Sequence, residues 1–188
     1  MAPTIGRNSG WSTVGPWLGT VVRLGLAAVW LVAGGSKVGD LAASGRAVNA
    51  YRLFPYEVAT VIGAALPFVE IALGLLLLVG LATRLTAGVS AALLLVFIAG
   101  IASAWARGLA IDCGCFGSGG QLGAGEQPTY GLELLRDLGF LALAGFLLVR
   151  PRSAVSVDGW LADDPRGDDD IRAGDDIRAE DEEGSGRR

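Results

Sequence analysis

Histidine is absent from all 188 residues. That absence removes the commonest general base near neutral pH and the commonest metal ligand. Ser-His-Asp and Cys-His catalysis go with it. Cysteine is nearly absent: Cys113 and Cys115 are the only two. They are too few and too close together for the framework of a disulfide-stapled secreted domain. Charge is also scarce, at 18% of residues, against roughly a quarter in an average soluble domain. Its placement is uneven. Twelve acids and five arginines fall in residues 158–188, a net of −7, which leaves +3 for residues 1–157. The pI of about 4.8 therefore belongs to the tail, and the body is slightly basic. No nucleic-acid partner is expected.

What is abundant is apolar. Hydrophobic residues make up 52% of the chain, and the mean hydropathy is +0.49. A spanning helix needs about 20 mostly apolar residues, and four segments supply them: residues 17–38, 56–81, 85–106 and 130–149. The fourth carries Glu133, Arg136 and Asp137 in its first two turns. The segments are rich in Gly, Ala and Ser, which let helix backbones approach closely in lipid. Trp17, Trp105 and Tyr130 stand near segment ends, where amphipathic rings favour the interface. Thr83-Arg84 is too short a connection for anything but an antiparallel hairpin. Pro67 should kink the second helix.

The expected fold is an all-α membrane protein, a bundle of four transmembrane helices with antiparallel neighbours in a lipid bilayer. Residues 1–16 are polar, broken by Gly and Pro, and carry a single Arg7. They read as a short flexible N-terminus, with the first apolar stretch retained as an anchor rather than cleaved. In residues 39–55, Leu41, Val48, Tyr51 and Phe54 recur at helical spacing between Arg46, Asn49 and Arg52. The pattern predicts a short amphipathic helix on the membrane surface, with an ordinary loop as the alternative. Residues 151–188, with the near-repeat DDIRAG–DDIRAE, read as a disordered acidic tail.

Chemistry concentrates in the segment between the third and fourth helices, residues 107–129. There Ile111-Asp112-Cys113-Gly114-Cys115-Phe116-Gly117 puts one residue between two sulfurs. A disulfide this local closes almost no loop and stabilises the fold negligibly. Such a ring is tight and reducible, and Gly114 gives it backbone freedom. Redox function is therefore favoured over stapling, with two free thiols as the bland alternative. A zinc site would need four ligands. Cys113, Cys115 and Asp112 would require a second subunit to complete it, so no metal is expected. Lys37, at the end of the first helix, and Arg136, about two turns into the fourth, are cations on the same membrane face as the cysteines. Either could favour the thiolate. Asp137 and Glu133 neighbour Arg136 and make the local charge mixed. A Glu133–Arg136 pair that merely makes the helix insertable is an equal reading.

Glu70 falls near the middle of the second helix, where a bare carboxylate is costly. Counting from helix ends puts Arg23 and Glu70 both roughly 21–22 Å from one face. A buried Arg23–Glu70 contact is expected, structural before catalytic, with a proton or quinone role open.

Several of these residues form a recognisable set. Lys37-Val-Gly-Asp40, Tyr51-Arg-Leu-Phe-Pro55 and Leu66-Pro-Phe-Val-Glu70, with Gly74 and Gly80, resemble the DoxX-like membrane proteins. CGCFG at 113–117, followed by LLRD at 134–137, narrows the resemblance to the MauE branch, over about residues 23–149. The resemblance implies a four-helix protein of the plasma membrane that serves the redox maturation of other proteins. In methylamine utilisation that means helping a thioredoxin-like partner form or maintain disulfides in the methylamine dehydrogenase small subunit. It also implies an extracytoplasmic Cys-Gly-Cys loop and termini inside. Lys/Arg counts of four against four on the two sides leave orientation undecided by charge. Membrane enzymes that generate disulfides resemble relays with two cysteine pairs, whereas this chain has one. Either the pair exchanges directly with a thioredoxin-like partner, or a quinone accepts electrons at the same site. Two other classes stay open: a noncatalytic membrane scaffold of an oxidoreductase complex, and a small transporter that would need a homo-oligomer to build its pore.

Overall fold

A computed structural model describes residues 10–114, 119–122 and 127–150. The acidic tail lies outside the described residues, as do Cys115 and the first nine positions. The elements are α1 (Gly10–Lys37), α2 (Leu41–Ala50), α3 (Tyr56–Val79), α4 (Thr83–Ala106), β1 (Ile111–Asp112), β2 (Gly120–Gln121) and α5 (Tyr130–Val149).

α1 starts at Gly10, seven residues before the expected span, and takes Pro16 into its interior. An internal proline forfeits one backbone hydrogen bond, and Thr20 Oγ1 donates to Pro16 O at 3.0 Å one turn later. Pro16–Lys37, Tyr56–Val79 and Thr83–Ala106 are long and apolar enough to cross a membrane. α5 has the length, 20 residues, but carries Glu133, Arg136 and Asp137. α3 ends at Gly80 in the left-handed conformation (φ 75°), and the Gly80 amide donates to Leu76 O at 2.9 Å. α4 begins three residues later, at Thr83, so the chain reverses tightly as expected, but over Gly80–Ala82; Thr83 and Arg84, where the turn was expected, open the first turn of α4. The four long helices alternate in direction.

Their shared core is Leu26, Ala27 and Trp30 of α1, Leu73 and Leu77 of α3, Ala87, Ala91 and Leu94 of α4, and Ala144 and Leu147 of α5. Trp30 Nε1 donates to the buried Ser90 Oγ at 3.1 Å, which satisfies a polar pair where no water competes. The outer surface is apolar too. Val61, Leu85, Val96 and Leu132 are 65–70% exposed. Such a belt is untenable in water and natural against acyl chains. The protein is an all-α, multi-pass membrane protein.

The first loop holds the main departure from expectation. Residues 41–50 are helical, but α2 does not lie apart from the bundle. Its Ser44, Gly45, Ala47 and Ala50 are buried. A Cβ on Gly63 of α3 would come within 2.5 Å of Ser44 O and 2.6 Å of Gly45 Cα. Small residues on both helices thus allow backbone-to-backbone packing. Above this point, a Cβ on Gly34 of α1 would meet Pro67 O and Ile71 Cγ1 at 2.7 Å, and one on Gly74 would meet Leu31 Cγ at 2.7 Å. The partners on α3 descend from Gly74 through Ile71 to Gly63 and Thr60 as the chain ascends from Leu31 through Gly34 to Gly45. α1 and α2 therefore form one interrupted helix running antiparallel along α3. Asp40 restarts it, its side chain accepting from the Ala43 amide at 2.8 Å, a helix N-cap.

Candidate functional site

The interruption between α1 and α2 places Lys37 at the end of a helix but inside the bundle. Lys37 is 6% exposed and Glu70 is fully buried. Lys37 Nζ donates to Glu70 Oε1 at 2.6 Å and to Oε2 at 2.9 Å. The expected Arg23–Glu70 contact does not form. Arg23 Nη1 instead donates to the carbonyls of Leu77 and Leu78 at the end of α3. The reason is register. The sequence estimate aligned the end of α1 with the start of α3, but α2 occupies the first turns of α3. α1 is displaced by about half a helix, and Lys37 stands where Arg23 was expected.

The cysteine segment is a small hairpin. Ile111 pairs with Gln121 and Asp112 with Gly120, antiparallel. Tyr130 holds its base, its hydroxyl donating to Leu109 O and accepting from the Ile111 amide. Tyr51, the last residue of the α2 region, donates from its hydroxyl to Cys113 O at 3.2 Å. Arg107 Nη2 donates to Tyr51 O at 2.6 Å. Gly114 has φ 68°, and a Cβ on Gly119 would fall 1.9 Å from Gly114 Cα. The two strands of the hairpin close on each other only because both positions lack a side chain.

Cys113 is half-buried. Arg136 Nη2 lies 3.5 Å from its Sγ, and the same guanidinium pairs with Asp137 Oδ1 at 3.0 Å. Cys113 thus has a cation at its sulfur, and the thiolate is the form that cations favour. Glu133 turns to the loop, its Oε1 accepting from Thr129 Oγ1 at 3.4 Å. Ligand atoms of Asp112, Cys113 and Glu133 lie within 4.8 Å of one another, a set of types that zinc accepts. The Arg136 guanidinium already at the sulfur competes with any metal there.

The two polar spots share one cavity of about 170 Å³. Lys37, Cys113 and Gly114 all line it; most of the remaining wall is apolar, including Ile62, Leu66, Val96 and Phe97. The structure thus brings together Lys37, Glu70, Cys113, Arg136 and Asp137. Arg23 stands apart near the other end of α3, and Cys115 lies outside the described residues. Sequence reasoning missed Tyr51 as the support of the Cys113 carbonyl, although the motif that carried the resemblance contains it. It also missed Asp112 beside Glu133, because no local spacing links residues 21 positions apart.

A multi-helix membrane bundle with a cysteine hairpin braced over a buried lysine–glutamate pair defines the class. Residues 15–150 match the family model of methylamine utilisation protein MauE, a stretch that covers α1 from residue 15 on, the other four helices and the hairpin, and the chain belongs to that family. The methylamine utilization protein MauE of Paracoccus denitrificans is 36% identical over 124 residues, 65% of this chain and 64% of that relative. The match therefore spans just under two thirds of the relative's length. No solved structure matches.

Proposed function

We propose that this protein is a plasma-membrane partner in thiol–disulfide exchange, working through Cys113 and Cys115 on a thioredoxin-like protein. The observation that carries the reading is the Arg136 guanidinium at 3.5 Å from Cys113 Sγ, on a hairpin braced from two sides. In the step envisaged, one thiolate attacks the partner's disulfide and expels one of its sulfurs as thiolate. The second cysteine then resolves the mixed disulfide, leaving the partner reduced and this chain oxidised; the reverse direction uses the same bonds. An oxidising role requires the hairpin to face the extracytoplasmic side, where disulfides persist. The name of the Paracoccus relative suggests a methylamine-utilisation system as one setting for this exchange.

Trapping tests the reading. Cys115→Ser should accumulate a covalent adduct with the partner through Cys113, visible on a non-reducing gel and removed by dithiothreitol. Full function with both cysteines replaced by serine would reject exchange. It would favour the alternative of a noncatalytic scaffold, since the Lys37–Glu70 pair and the helix packing would survive that change.

A further inference from the structure

We infer that the cavity between Lys37 and Cys113 binds the head group of a lipid-borne quinone. Size argues first. The cavity holds about 170 Å³, and an engineered protein cavity of about 150 Å³ accommodates a benzene ring. One substituted six-membered ring fits. The mouth argues second. Ile62 of α3 and Val96 of α4 line the cavity and are 38% and 65% exposed on the apolar surface. An isoprenoid tail can leave between these helices directly into lipid.

Charge and hydrogen bonding narrow the ligand further. Lys37 and Glu70 together are neutral, so neither an anion nor a cation is called for. An ammonium has three N–H donors, and Glu70 takes two of them. The third is available to a neutral acceptor such as a quinone carbonyl. An acyl chain would make no use of it. Electron count argues last, and here the inference rests on the exchange reading. The chain has only one cysteine pair, so electrons cannot pass to a second pair. With Cys113 lining the same cavity, the balanced step is two thiols plus quinone giving disulfide plus quinol. Two S–H bonds break, one S–S bond forms, and two electrons and two protons arrive on the quinone oxygens.

The test separates binding from redox. The full chain with Cys113→Ser and Cys115→Ser, in lipid nanodiscs, is photolabelled with a short-chain azido-ubiquinone. Saturable labelling is expected in residues 44–66 and 93–100, competed by unlabelled quinone and not by an alkane of equal length. Val96→Trp changes only the exposed rim and should abolish it. Lys37→Met with Glu70→Gln, which leaves no unpaired buried charge, should weaken it about tenfold. Labelling that fails to saturate, is indifferent to Val96→Trp, or is competed equally by the alkane would overturn the site. In a second arm, reduced wild-type protein plus quinone should lose two thiols per quinol formed. Saturable labelling without quinol formation would uphold the site and reject electron transfer from the cysteines to the quinone, while the Cys115→Ser adduct alone decides exchange. A partner adduct without saturable labelling would uphold exchange and reject the site.

Discussion

At the scale of single residues, the cysteine hairpin is a problem in electrostatics. Cys113 cannot depend on histidine, which the chain lacks. Its cation is Arg136, itself steadied by Asp137 at 3.0 Å. A hydrogen bond to a charged group is worth about 1.5–3 kcal/mol, and Arg136 is partly exposed, so the lower end applies. Arg136→Gln should therefore slow alkylation of Cys113 by iodoacetamide near neutral pH about tenfold in a Cys115→Ser background, the factor that ~1.4 kcal/mol represents. An unchanged rate would remove Arg136 from the site. The residues themselves were legible beforehand. Two cysteines one apart, and charges inside an apolar segment, stand out in any reading. Their pairing was less so. Glu70 plainly needed a partner, but choosing Lys37 over Arg23 depended on how far one helix slides along another.

That slide is decided at the scale of elements. The helices were legible because length and apolarity alone mark a membrane span, and the shortness of the α3–α4 connection fixed one antiparallel pair. The place of α2 was not. Its Leu41, Val48, Tyr51 and Phe54 suggested a face for the membrane surface. The packing instead uses the small residues Ser44 and Gly45 against Gly63 and Thr60, which no hydrophobic pattern highlights. Three of that apolar set, Val48, Tyr51 and Phe54, line the cavity instead. Gly63 therefore sets the register of the whole interrupted helix, and with it the Lys37–Glu70 pair. Gly63→Val should push α2 off α3, because even a single Cβ would lie 2.5 Å from a backbone oxygen. Overpacking of this kind typically costs about 1–3 kcal/mol. The expected result is a lower melting temperature in detergent with tryptic cleavage gained at Arg46 or Arg52. Gly35→Val is the control, since a Cβ there meets nothing within 4 Å. Equal stability of the two variants would show that α2 is not held by this contact.

Across the whole molecule, alternating helix directions sort the connections to two ends. The Tyr51–Pro55 connection, the hairpin and the start of α5 share one end, tied by Tyr51 to Cys113 and by Arg107 to Tyr51. The α3–α4 turn and the Arg23 contacts to Leu77 and Leu78 share the other. Charge counts could not say which end faces the cytoplasm, because the cations divide evenly. The proposed exchange, run in its oxidising direction, calls for the hairpin end outside. In intact cells, a membrane-impermeant maleimide should label Cys113 of the Cys115→Ser variant after mild reduction. In a chain lacking both native cysteines, Arg84→Cys at the opposite end should be labelled only after permeabilisation. The reverse pattern would leave the bundle intact and put the sulfurs in a reducing compartment, which no exchange partner of the oxidising kind could use. Labelling of both positions from one side would strike deeper. α4 would then not cross the bilayer, and the cavity between Lys37 and Cys113 would have no lipid at its mouth from which to draw a ligand.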